Sequence, residues 1–493
     1  MQSKPEDYPF KGTLKTHQIR ALREADQKFG HAWFMDPGAG KTAIAIAEAS
    51  ELYMRGQIDG VIVTAPFGPH KQWITEQFPL WCDIPYQTIH NKQTNPQKKK
   101  FFESRRNGMG VMTINYEAVS TKPGDELLEQ FMKRYPRIYL VVDESQRIKN
   151  PRAPRAQQVL VLSLKCRFRR LLTGTPLLKG LEDLWTQYEV VEPGLAWPPE
   201  PIKLNRGGKG LGNYPFLGYR THYCITFTPK NQPQAVIIRG YRNEGELKAR
   251  VKPHVTRVLS DEFMIGEKPT FSRISTPMNA KQQAEYNRMK DHLMAEMGSG
   301  MITAQNALVQ MGKLMQIGSG FLYHDKDAED GGNQGWDVLG SNKVSATLDL
   351  LEQLDEPVML WCPFRALQQT MMIEINDRNE RNKWETRPVF TDVSHIDLWR
   401  KQPRGIVLAN QAGAWGTGMN CQHSAANIYM AHLYSAEARW QSLKRTDRIG
   451  QERQVRVWDL TTPNSIDGRA LDALEAKEEL SRRNIDELRD LLI

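Results

Sequence analysis

Short apolar runs alternate with helical stretches over the first 190 residues. The runs are rich in β-branched side chains, and the stretch after Lys41 places Ala43, Ile44 and Ala47 on one face of a helix. The runs cover Val61–Pro66, Gly110–Ile114, Ile138–Val142 and Arg170–Thr173. Strands separated by helices are typical of a parallel sheet with helices on both faces. This region therefore predicts an α/β lobe.

The same alternation returns in the last third of the chain. Five further runs predict strands at Val358–Trp361, Arg387–Phe390, Gly405–Ala409, Asn427–Ala431 and Val455–Leu460. Between the two regions, residues 191–275 are rich in Pro, Gly and basic residues. Asn279–Met297 and Met301–Ile317 repeat Met and Leu at three- and four-residue spacing, which predicts helices packed through their apolar faces. The acidic, Gly-rich stretch Asp325–Gly335 predicts an exposed loop before a second α/β lobe.

Length and composition agree with two lobes. The 493 residues exceed the roughly 250–300 at which single cores stop growing. No apolar run reaches the ~18 residues that span a bilayer, and the N-terminus lacks the apolar core of a signal peptide. Five scattered cysteines, none spaced as CxxC, argue against a disulfide framework and a zinc site. We therefore expect a cytoplasmic protein with no membrane partner.

Positive charge is concentrated in one segment. Residues 201–257 carry eleven Lys and Arg against Glu244 and Glu246, a surplus equal to the net charge of +9 of the whole chain. Such a patch suits the phosphate backbone of nucleic acid, although a solvated basic face is the alternative. Aromatic residues interleaved with it form either a stacking platform for bases or the anchors of a small insertion. They are Tyr214, Phe216, Tyr219, Tyr223 and Tyr241.

A glycine-rich stretch between an apolar run and a helix predicts a phosphate-binding loop. It reads Met35-Asp36-Pro37-Gly38-Ala39-Gly40-Lys41-Thr42. Gly38, Ala39 and Gly40 offer backbone N–H groups to phosphate oxygens. Lys41 can reach the β- and γ-phosphates of ATP, and the Thr42 hydroxyl is placed to bind Mg²⁺. The strict pattern has Gly where Met35 stands.

Two carboxylates end the apolar run at residues 138–142. Asp143 is expected to hold Mg²⁺, and Glu144 to orient and deprotonate the attacking water. Adjacent acids at the end of an apolar strand are costly to bury without a metal or another partner, although a surface turn is the alternative. Combined with the phosphate loop, the pair predicts an enzyme that hydrolyses ATP with Mg²⁺.

These and further motifs resemble the Snf-type (switch/sucrose-nonfermenting) DNA translocases of helicase superfamily two. In the first lobe the matches are Leu14–Gln18, Asp143–Asn150, Leu172–Pro176 with Leu184-Trp185, Ala65–Glu76 and Thr113–Glu117. The resemblance implies that Gln18 reads the adenine edge of ATP. It also implies that residues 172–176 couple hydrolysis to motion, while the stretches 65–76 and 113–117 track DNA.

The second lobe carries the other half of the resemblance. Residues 416–422 resemble the G-x-G-hydrophobic-N motif, and Gln441–Gln451 resembles the Q-x-x-x-R-x-x-R-I-G-Q box. The resemblance implies that Gly416 and Gln441 belong to the nucleotide site. It also implies that Arg445 and Arg448 project across the lobe interface toward the γ-phosphate. The family's D-x-x-W-N-P stretch is replaced here by Ala431-His432-Leu433-Tyr434-Ser435-Ala436, as in compact forms carried by bacterial viruses and mobile elements.

The resemblance implies two RecA-like parallel-sheet lobes with a basic, partly helical insertion between them. We expect an ATP-binding lobe at 1–190, the insertion at 191–335, a second lobe at 336–465 and a brace helix at 466–493. The expected function is ATP-driven translocation on double-stranded or branched DNA, in a bacterial or virus-infected cytoplasm. A strand-separating or annealing helicase and a nucleotide-gated DNA clamp are the alternatives. The final charged helix (Glu478–Leu492) alternatively binds a protein partner.

Overall fold

The computed structural model describes most of the chain, in two compact units. The described residues are 8–177, 180–197, 214–228, 236–263, 266–298, 304–324, 335–381, 386–417, 419–432, 435–448 and 450–475. The first unit lies within Met1–Met264 and the second within Ile265–Leu480. Four groups of predicted features lie outside the described residues. They are Lys203, Arg206, Lys209 and Lys230 of the basic segment, the loop at 325–334, Gly418 and Ile449 of the second-lobe motifs, and the final charged helix.

The first unit is built on a seven-stranded parallel sheet. Its strands are β1 (Gly30–Met35), β2 (Gly60–Ala65), β3 (Tyr86–His90), β4 (Met109–Asn115), β5 (Ile138–Asp143), β6 (Phe168–Thr173) and β9 (Val255–Val258). They are ordered β3-β4-β2-β5-β6-β1-β9. Strands β1, β2 and β4 are buried along their whole length, as expected of parallel strands covered on both faces. An antiparallel hairpin, β7 (Cys224–Phe227) and β8 (Ile237–Tyr241), belongs to the same unit.

The helices of this unit follow its strands. They are α1 (Thr16–Ala25), α2 (Lys41–Met54), α3 (Pro69–Gln72), α4 (Phe78–Trp81), α5 (Asn95–Glu103), α6 (Tyr116–Val119), α7 (Lys122–Arg134), α8 (Pro154–Leu164), α9 (Trp185–Val191), α10 (Tyr214–Tyr223) and α11 (Glu244–Val251). A π-helical turn at Trp73–Gln77 joins α3 to α4, and 3₁₀ turns cover Ser145–Ile148 and Leu181–Leu184. The four predicted strands of this region and the helix after the glycine-rich loop are confirmed.

The second unit is built on a six-stranded parallel sheet. Its strands are β10 (Thr270–Ser275), β13 (Val358–Trp361), β14 (Val389–Phe390), β15 (Ile406–Ala409), β16 (Ala426–Tyr429) and β17 (Arg456–Thr461), ordered β10-β17-β16-β13-β15-β14. A hairpin pairs β11 (Phe321–Tyr323) with β12 (Trp336–Val338). The helices are α12 (Ala280–Gly298), α13 (Ala304–Ser319), α14 (Asn342–Gln353), α15 (Arg365–Glu380), α16 (Ile396–Trp399), α17 (Ala414–Thr417) and α18 (Ala436–Leu443), with a further helix at 466–475. The predicted α/β fold class with two parallel-sheet lobes is confirmed.

The predicted middle region is divided between the two sheets. Strand β9 pairs in parallel with β1 of the first unit, with Ala32 opposite Val255. Strand β10 pairs in parallel with β17 of the second unit, with Thr270 opposite Arg456. Both strands come from the stretch that the sequence predicts as insertion. Neither contains a long apolar run, so the hydrophobic pattern did not predict them as strands. The four-part division of the chain therefore stays a prediction.

The aromatic residues of the basic segment serve mainly as anchors. Tyr219 and Tyr223 are fully buried in the core of the first unit, and the Tyr219 hydroxyl donates to the carbonyl of Leu181 at 2.7 Å. Phe216 packs edge-on against Trp185, with 5.5 Å between ring centroids. These contacts favour the anchoring interpretation over the stacking platform.

Each unit contains a buried ion pair. In the first, the Arg170 guanidinium donates two hydrogen bonds to the Glu48 carboxylate, at 2.8 and 2.5 Å. In the second, Lys343 Nζ lies 2.5 Å from a carboxylate oxygen of Asp467, and both side chains are at most 2% exposed. Buried charges of this kind are tolerated only when they are paired and hydrogen-bonded. Within the described ranges, no helix combines the length and apolar character that a bilayer span requires.

Candidate active site

The loop between β1 and α2 has the backbone shape that its glycines predict. Gly38 and Gly40 adopt φ values of 91° and 83°, in the left-handed region that favours glycine. Gly40 is the N-cap of α2, and a Cβ atom there would stand 2.1 Å from the Gln18 side-chain nitrogen. The loop therefore requires glycine at this position and leaves the first N–H groups of α2 to an anionic ligand.

Helix α1 closes one side of this loop. Gln18 Nε2 donates to the carbonyl of Ala39 at 3.2 Å, while Gln18 Oε1 accepts from the N–H of Lys15 at 2.8 Å. A ring nitrogen of His17 lies 2.9 Å from the same Ala39 carbonyl, and burial lowers the pKa of His17. Gln18 thus lies against the loop, and His17 is a second contact that the sequence did not single out.

Lys41 lies inside the curve of the loop. Its Nζ donates to the carbonyl of Met35 at 2.7 Å. Burial lowers the pKa of Lys41, whereas the carboxylates of Glu144, Asp143 and Asp36 act to raise it. Thr42 follows in the first turn of α2. The lysine and the two acids that end β5 are therefore close enough to interact electrostatically.

Asp143 is held by two aromatic side chains. Trp73 Nε1 donates to Asp143 Oδ2 at 2.9 Å, and the Tyr116 hydroxyl donates to the Asp143 carbonyl at 2.6 Å. Burial and the neighbouring Glu144 carboxylate raise the pKa of Asp143 to about 6, while the Trp73 hydrogen bond and Lys41 oppose that shift. Trp73 and Tyr116 belong to the segments that resemble DNA-tracking elements, so the sequence did not assign them to the acidic pair.

Glu144 has an unusual backbone. Its φ and ψ are 53° and 56°, a left-handed conformation that costs a non-glycine residue ~1–3 kcal/mol and persists only where the surroundings fix it. Gln146 Nε2 donates to Glu144 Oε2 at 2.8 Å. The Thr173 hydroxyl donates to Gln146 Oε1 at 2.6 Å and accepts from the N–H of Thr175 at 3.0 Å. This chain of hydrogen bonds connects the box at 143–150 to the box at 172–176.

Arg257 lies beside the glycine loop, although the basic segment around it in the sequence predicted an exposed position. Its place in the sequence predicts that it belongs to the basic patch, but its side chain is only 5% exposed. It lies in β9, where Arg257 Nη2 donates to Asp36 Oδ1 at 3.1 Å and Nη1 donates to the carbonyl of Phe34 at 2.8 Å. Assigning Arg257 to a surface patch is therefore wrong, because β9 joins the sheet beside β1 and turns this cation toward the loop.

The four predicted site residues of the second unit lie on two adjacent segments. Arg445 Nε donates to the carbonyl of Gly416 at 3.1 Å and to that of Gln441 at 3.2 Å. A Cβ atom at Gly416 would stand 1.8 Å from the carbonyl oxygen of Gln411, so this position also requires glycine. Burial and the positive charge of Arg445 lower the pKa of Arg448 to about 10.

The structure thus forms two groups of predicted site residues, one in each unit. The first contains Gln18, Gly38, Ala39, Gly40, Lys41, Thr42, Asp143 and Glu144. The second contains Gly416, Gln441, Arg445 and Arg448. Side chains that were not predicted as site residues support the first group, and they are His17, Trp73, Tyr116, Gln146, Thr173 and Arg257. All but Arg257 lie within motif segments of the sequence, and the fold shows which groups they contact.

Comparison with known protein families identifies the first group. The family described as the SNF2-related domain matches residues 17–200, which include the loop, the acidic pair and the box at 172–176. Residues 17–200 of the chain thus resemble the SNF2-related domain. This match supports the resemblance predicted from the motifs of the first lobe.

Individual relatives have low sequence identity to this chain, but their alignments cover most of it. The chromatin structure-remodeling complex subunit snf21 of Schizosaccharomyces pombe is 24% identical, over 96% of this chain and 39% of that protein. The putative protein p41 of Acyrthosiphon pisum secondary endosymbiont phage 1 is 24% identical, over 88% of this chain and 87% of that protein. The chain therefore spans well under half of the remodelling subunit but most of the phage protein. The solved SWI2/SNF2 ATPase core of Sulfolobus solfataricus in complex with double-stranded DNA is 21% identical, covering 98% of this chain and 95% of that one, with a TM-score of 0.42.

Proposed function

We propose that this SNF2-related protein is a DNA-dependent ATPase that translocates on double-stranded DNA. The observation that carries the proposal is the arrangement in the first unit. Lys41 donates to the Met35 carbonyl within the glycine loop after β1, and Asp143 and Glu144 stand at the end of β5 in the same sheet. A basic group inside a glycine loop, beside two acids at the end of a parallel strand, is the arrangement that phosphoryl transfer from a nucleoside triphosphate requires.

Each residue of the first unit has a proposed role in ATP binding. The N–H groups of Gly38, Ala39 and Gly40 receive the phosphates, and Lys41 contacts the β- and γ-phosphates. For this the Ala39 N–H must exchange its bond to the Asp36 carbonyl, at 3.1 Å, for one to phosphate. Gln18, held against Ala39, reads the adenine edge. Binding requires Lys41 to exchange its bond to the Met35 carbonyl for one to phosphate.

The donor set also fits Mg²⁺. One half-buried carboxylate, Asp143, and the Thr42 hydroxyl are few ligands, but Mg²⁺ commonly takes one or two protein oxygens and completes its shell with phosphate and water. The raised pKa of Asp143 reflects a buried pair of acids that a cation would stabilise. When bound, the metal would neutralise negative charge on the phosphates.

Glu144 is the proposed general base. Its carboxylate is positioned by Gln146, and it accepts the proton of the water that attacks the γ-phosphorus. Because Gln146 also accepts from Thr173, the same hydrogen-bonded chain gives the box at 172–176 a route for sensing the state of the base.

The second unit is proposed to supply positive charge. Arg445 and Arg448 would approach the γ-phosphate when the two lobes close, with Gly416 and Gln441 setting the position of Arg445. Opening after hydrolysis would then advance the protein along DNA, which allows remodelling or the displacement of bound proteins. A site of action in a bacterial or virus-infected cytoplasm accords with the phage relative.

Double-stranded or branched DNA is the proposed partner. The remodelling-complex name of the yeast relative and the basic segment support it. Within that segment Arg239, Arg242 and Lys252 are exposed, so part of the charge is available to phosphates. A helicase that separates or anneals strands would share every ATPase residue, and a slow nucleotide-gated clamp would share the binding residues. A protein partner for the charged C-terminal segment is a further proposal.

The decisive experiment measures ATP hydrolysis by the wild type, Lys41→Ala and Glu144→Gln, with duplex DNA, with single-stranded DNA and without DNA. We expect duplex DNA to stimulate the wild type at least tenfold. Lys41→Ala should abolish ATP binding, because the loop loses its cation. Glu144→Gln should retain ATP binding and lose about 10²-fold or more in rate, which is the usual contribution of a general base.

Three outcomes separate the alternatives. Tight DNA binding without stimulation of the wild type would contradict the autonomous motor and indicate a clamp or a missing activator. Displacement of a labelled strand from a forked substrate would indicate a helicase. A Glu144→Gln variant that hydrolyses ATP at the wild-type rate would remove Glu144 from the mechanism.

A further inference from the structure

A short segment, which we call the strap, lies against the nucleotide loop. It comprises β9 and the turn Ser260–Glu262. The strap holds both oxygens of one carboxylate in the loop, because Asp36 Oδ1 accepts from Arg257 Nη2 at 3.1 Å and Asp36 Oδ2 accepts from the N–H of Ser260 at 2.9 Å. The N–H of Asp36 in turn donates to the carbonyl of Val258 at 2.9 Å. The first polar residue of the loop is therefore fixed by three hydrogen bonds to the strap.

The strap is also joined to helix α1, which contacts the loop from another side. Arg20 Nη2 donates to the carbonyl of Arg257 at 3.0 Å, and the same nitrogen lies 2.8 Å from the Glu262 carboxylate. Helix α1 contributes His17 and Gln18, both bonded to Ala39. The loop is thus bound at Asp36 by the strap and at Ala39 by α1, and Arg20 connects these two supports.

Arg257 also reaches toward the box at 172–176. Its Nη1 donates to the carbonyl of Phe34 at 2.8 Å and lies 3.4 Å from the carbonyl of Gly174. A single guanidinium therefore contacts the end of β1, the loop and the segment after β6. Its five N–H donors in a fixed plane suit a position between several acceptors, whereas a lysine ammonium would serve fewer of them in the same geometry.

We propose that Arg257 is a positioning residue of the nucleotide site, which holds Asp36 so that the loop keeps its phosphate-receiving shape and joins that loop to Gly174. The inference rests on the proposed nucleotide-binding function. It separates Arg257 from the exposed basic residues of its segment, whose proposed partner is DNA. Arg257 has no role toward DNA in this proposal.

The positive charge of Arg257 determines whether its removal should weaken or strengthen nucleotide binding. Arg257 neutralises Asp36, and its own positive charge is close enough to affect Lys41. Removing the guanidinium leaves the Asp36 carboxylate beside a loop that must receive anionic phosphates. An unpaired, partly buried carboxylate is costly in itself and repels phosphate. Removing the carboxylate as well should recover part of the loss, and this makes the pair suitable for a double-mutant cycle.

The experiment measures the affinity of the full chain for fluorescent ADP and ATP analogues, without DNA and without turnover. We expect Arg257→Met to weaken nucleotide affinity at least tenfold, because the Asp36 carboxylate loses its counter-charge and one of its two hydrogen bonds. The double variant Arg257→Met with Asp36→Asn should bind at least threefold more tightly than Arg257→Met alone. Affinity for duplex DNA, measured without nucleotide, should stay within twofold of the wild type.

A matched control distinguishes a local effect from general destabilisation. Arg387 is a fully buried arginine of the second unit that donates to the carbonyls of Leu354 and Glu356, each at 2.8 Å. Arg387→Met should lower the melting temperature but leave nucleotide affinity within twofold. If Arg257→Met does not fold, Arg257→Lys and Asp36→Asn test the same contact, each with an expected loss of at least threefold in nucleotide affinity.

Two results would overturn the proposal. One is a folded variant at position 257 whose nucleotide affinity lies within twofold of the wild type. The other is a loss of DNA affinity without a loss of nucleotide affinity, which would return Arg257 to the basic patch. A wild type that binds nucleotide but shows no stimulation by DNA contradicts the proposed motor and leaves this inference intact. A wild type that binds no nucleotide contradicts both.

Discussion

The two units use charge in opposite ways. In the first unit Lys41 lies near the carboxylates of Asp143 and Glu144, so burial and opposite charge act against each other on the pKa of the lysine. In the second unit burial and Arg445 both lower the pKa of Arg448, and the group that opposes them is the Cys421 thiol rather than a carboxylate. In the first site the carboxylates therefore offset part of the effect of burial on Lys41, although burial still lowers its pKa. The second holds a desolvated positive charge that an anion would stabilise, which is the property expected of a group that acts on a phosphate from another body.

The largest expected effect tests the proposed role of the arginines in the second unit. Arg448→Ala should lower the DNA-stimulated rate of ATP hydrolysis about 10³-fold, since a cation delivered to the transferring phosphate contributes 10³–10⁵ in rate. Nucleotide affinity should stay within threefold, because the loop of the first unit is unchanged. Arg453→Ala is the control, since Arg453 lies in the same segment, is 45% exposed and pairs with Glu356. If Arg448→Ala hydrolyses ATP at a rate within threefold of the wild type, the proposed role of this arginine, and with it the difference between the two units, is contradicted.

The buried ion pairs allow the stabilities of the two units to be compared. Lys343→Met leaves Asp467 buried without its cation and should lower the free energy of unfolding of the second unit by ~3 kcal/mol. Arg170→Met should have a similar effect in the first unit, because it leaves the buried Glu48 carboxylate without its cation. Denaturant unfolding monitored by fluorescence would measure both. Arg381→Met, which removes an exposed ion pair with Asp377, should cost less than ~0.5 kcal/mol. Equal losses in all three variants would contradict the role of burial.

A smaller effect tests the hydrogen-bonded chain behind Glu144. Thr173→Val removes the hydroxyl that donates to Gln146, so the Glu144 carboxylate loses part of what positions it. We expect about a tenfold loss of DNA-stimulated hydrolysis, the equivalent of one buried hydrogen bond, with nucleotide affinity unchanged. Thr370→Val is the matched control, because its hydroxyl donates to the carbonyl of Ala366 within α15 at 3.0 Å. Equal rates for Thr173→Val and the wild type would exclude this chain from catalysis.

The smallest effect is a pH dependence of the acidic pair. Asp143 must be ionised to hold Mg²⁺, and its pKa is raised to about 6, so protonation competes with the metal as the pH falls through that value. The ionised fraction, and with it the affinity for Mg²⁺·nucleotide, should fall about fourfold between pH 7 and pH 5.5. Phosphate takes up a proton in the same range. Asp143→Asn is therefore measured in parallel, and a dependence equal to that of the wild type would remove Asp143 from the metal site.

The sequence predicted those parts of the fold that local pattern specifies. Strands β2, β4 and β5 are runs of apolar, β-branched residues that are buried along almost their whole length, and such runs have few alternatives to a central parallel strand. By contrast β3 is only half-buried, and β9 has four residues with a charged one among them. Short strands of mixed polarity carry too weak a pattern to be recognised without the neighbours that they pair with.

The candidate site likewise contains groups that the local sequence specifies and groups that only the fold brings together. Gly38, Gly40 and Lys41 follow one another along the chain, as do Asp143 and Glu144, so the local sequence alone specifies which groups are adjacent and what chemistry they can perform. The sequence by itself therefore determined the phosphate loop, the acidic pair and the arginine box of this protein.

Only the tertiary structure decided which side chains hold these groups in place. The indole of Trp73 reaches Asp143 and the guanidinium of Arg257 reaches Asp36 because distant strands are brought side by side in one sheet. Charge counting assigned Arg257 to a surface, since composition records how many cations a segment contains and not which way each one faces. The direction of a side chain follows from strand pairing and register, and these are settled by contacts between residues far apart in the chain.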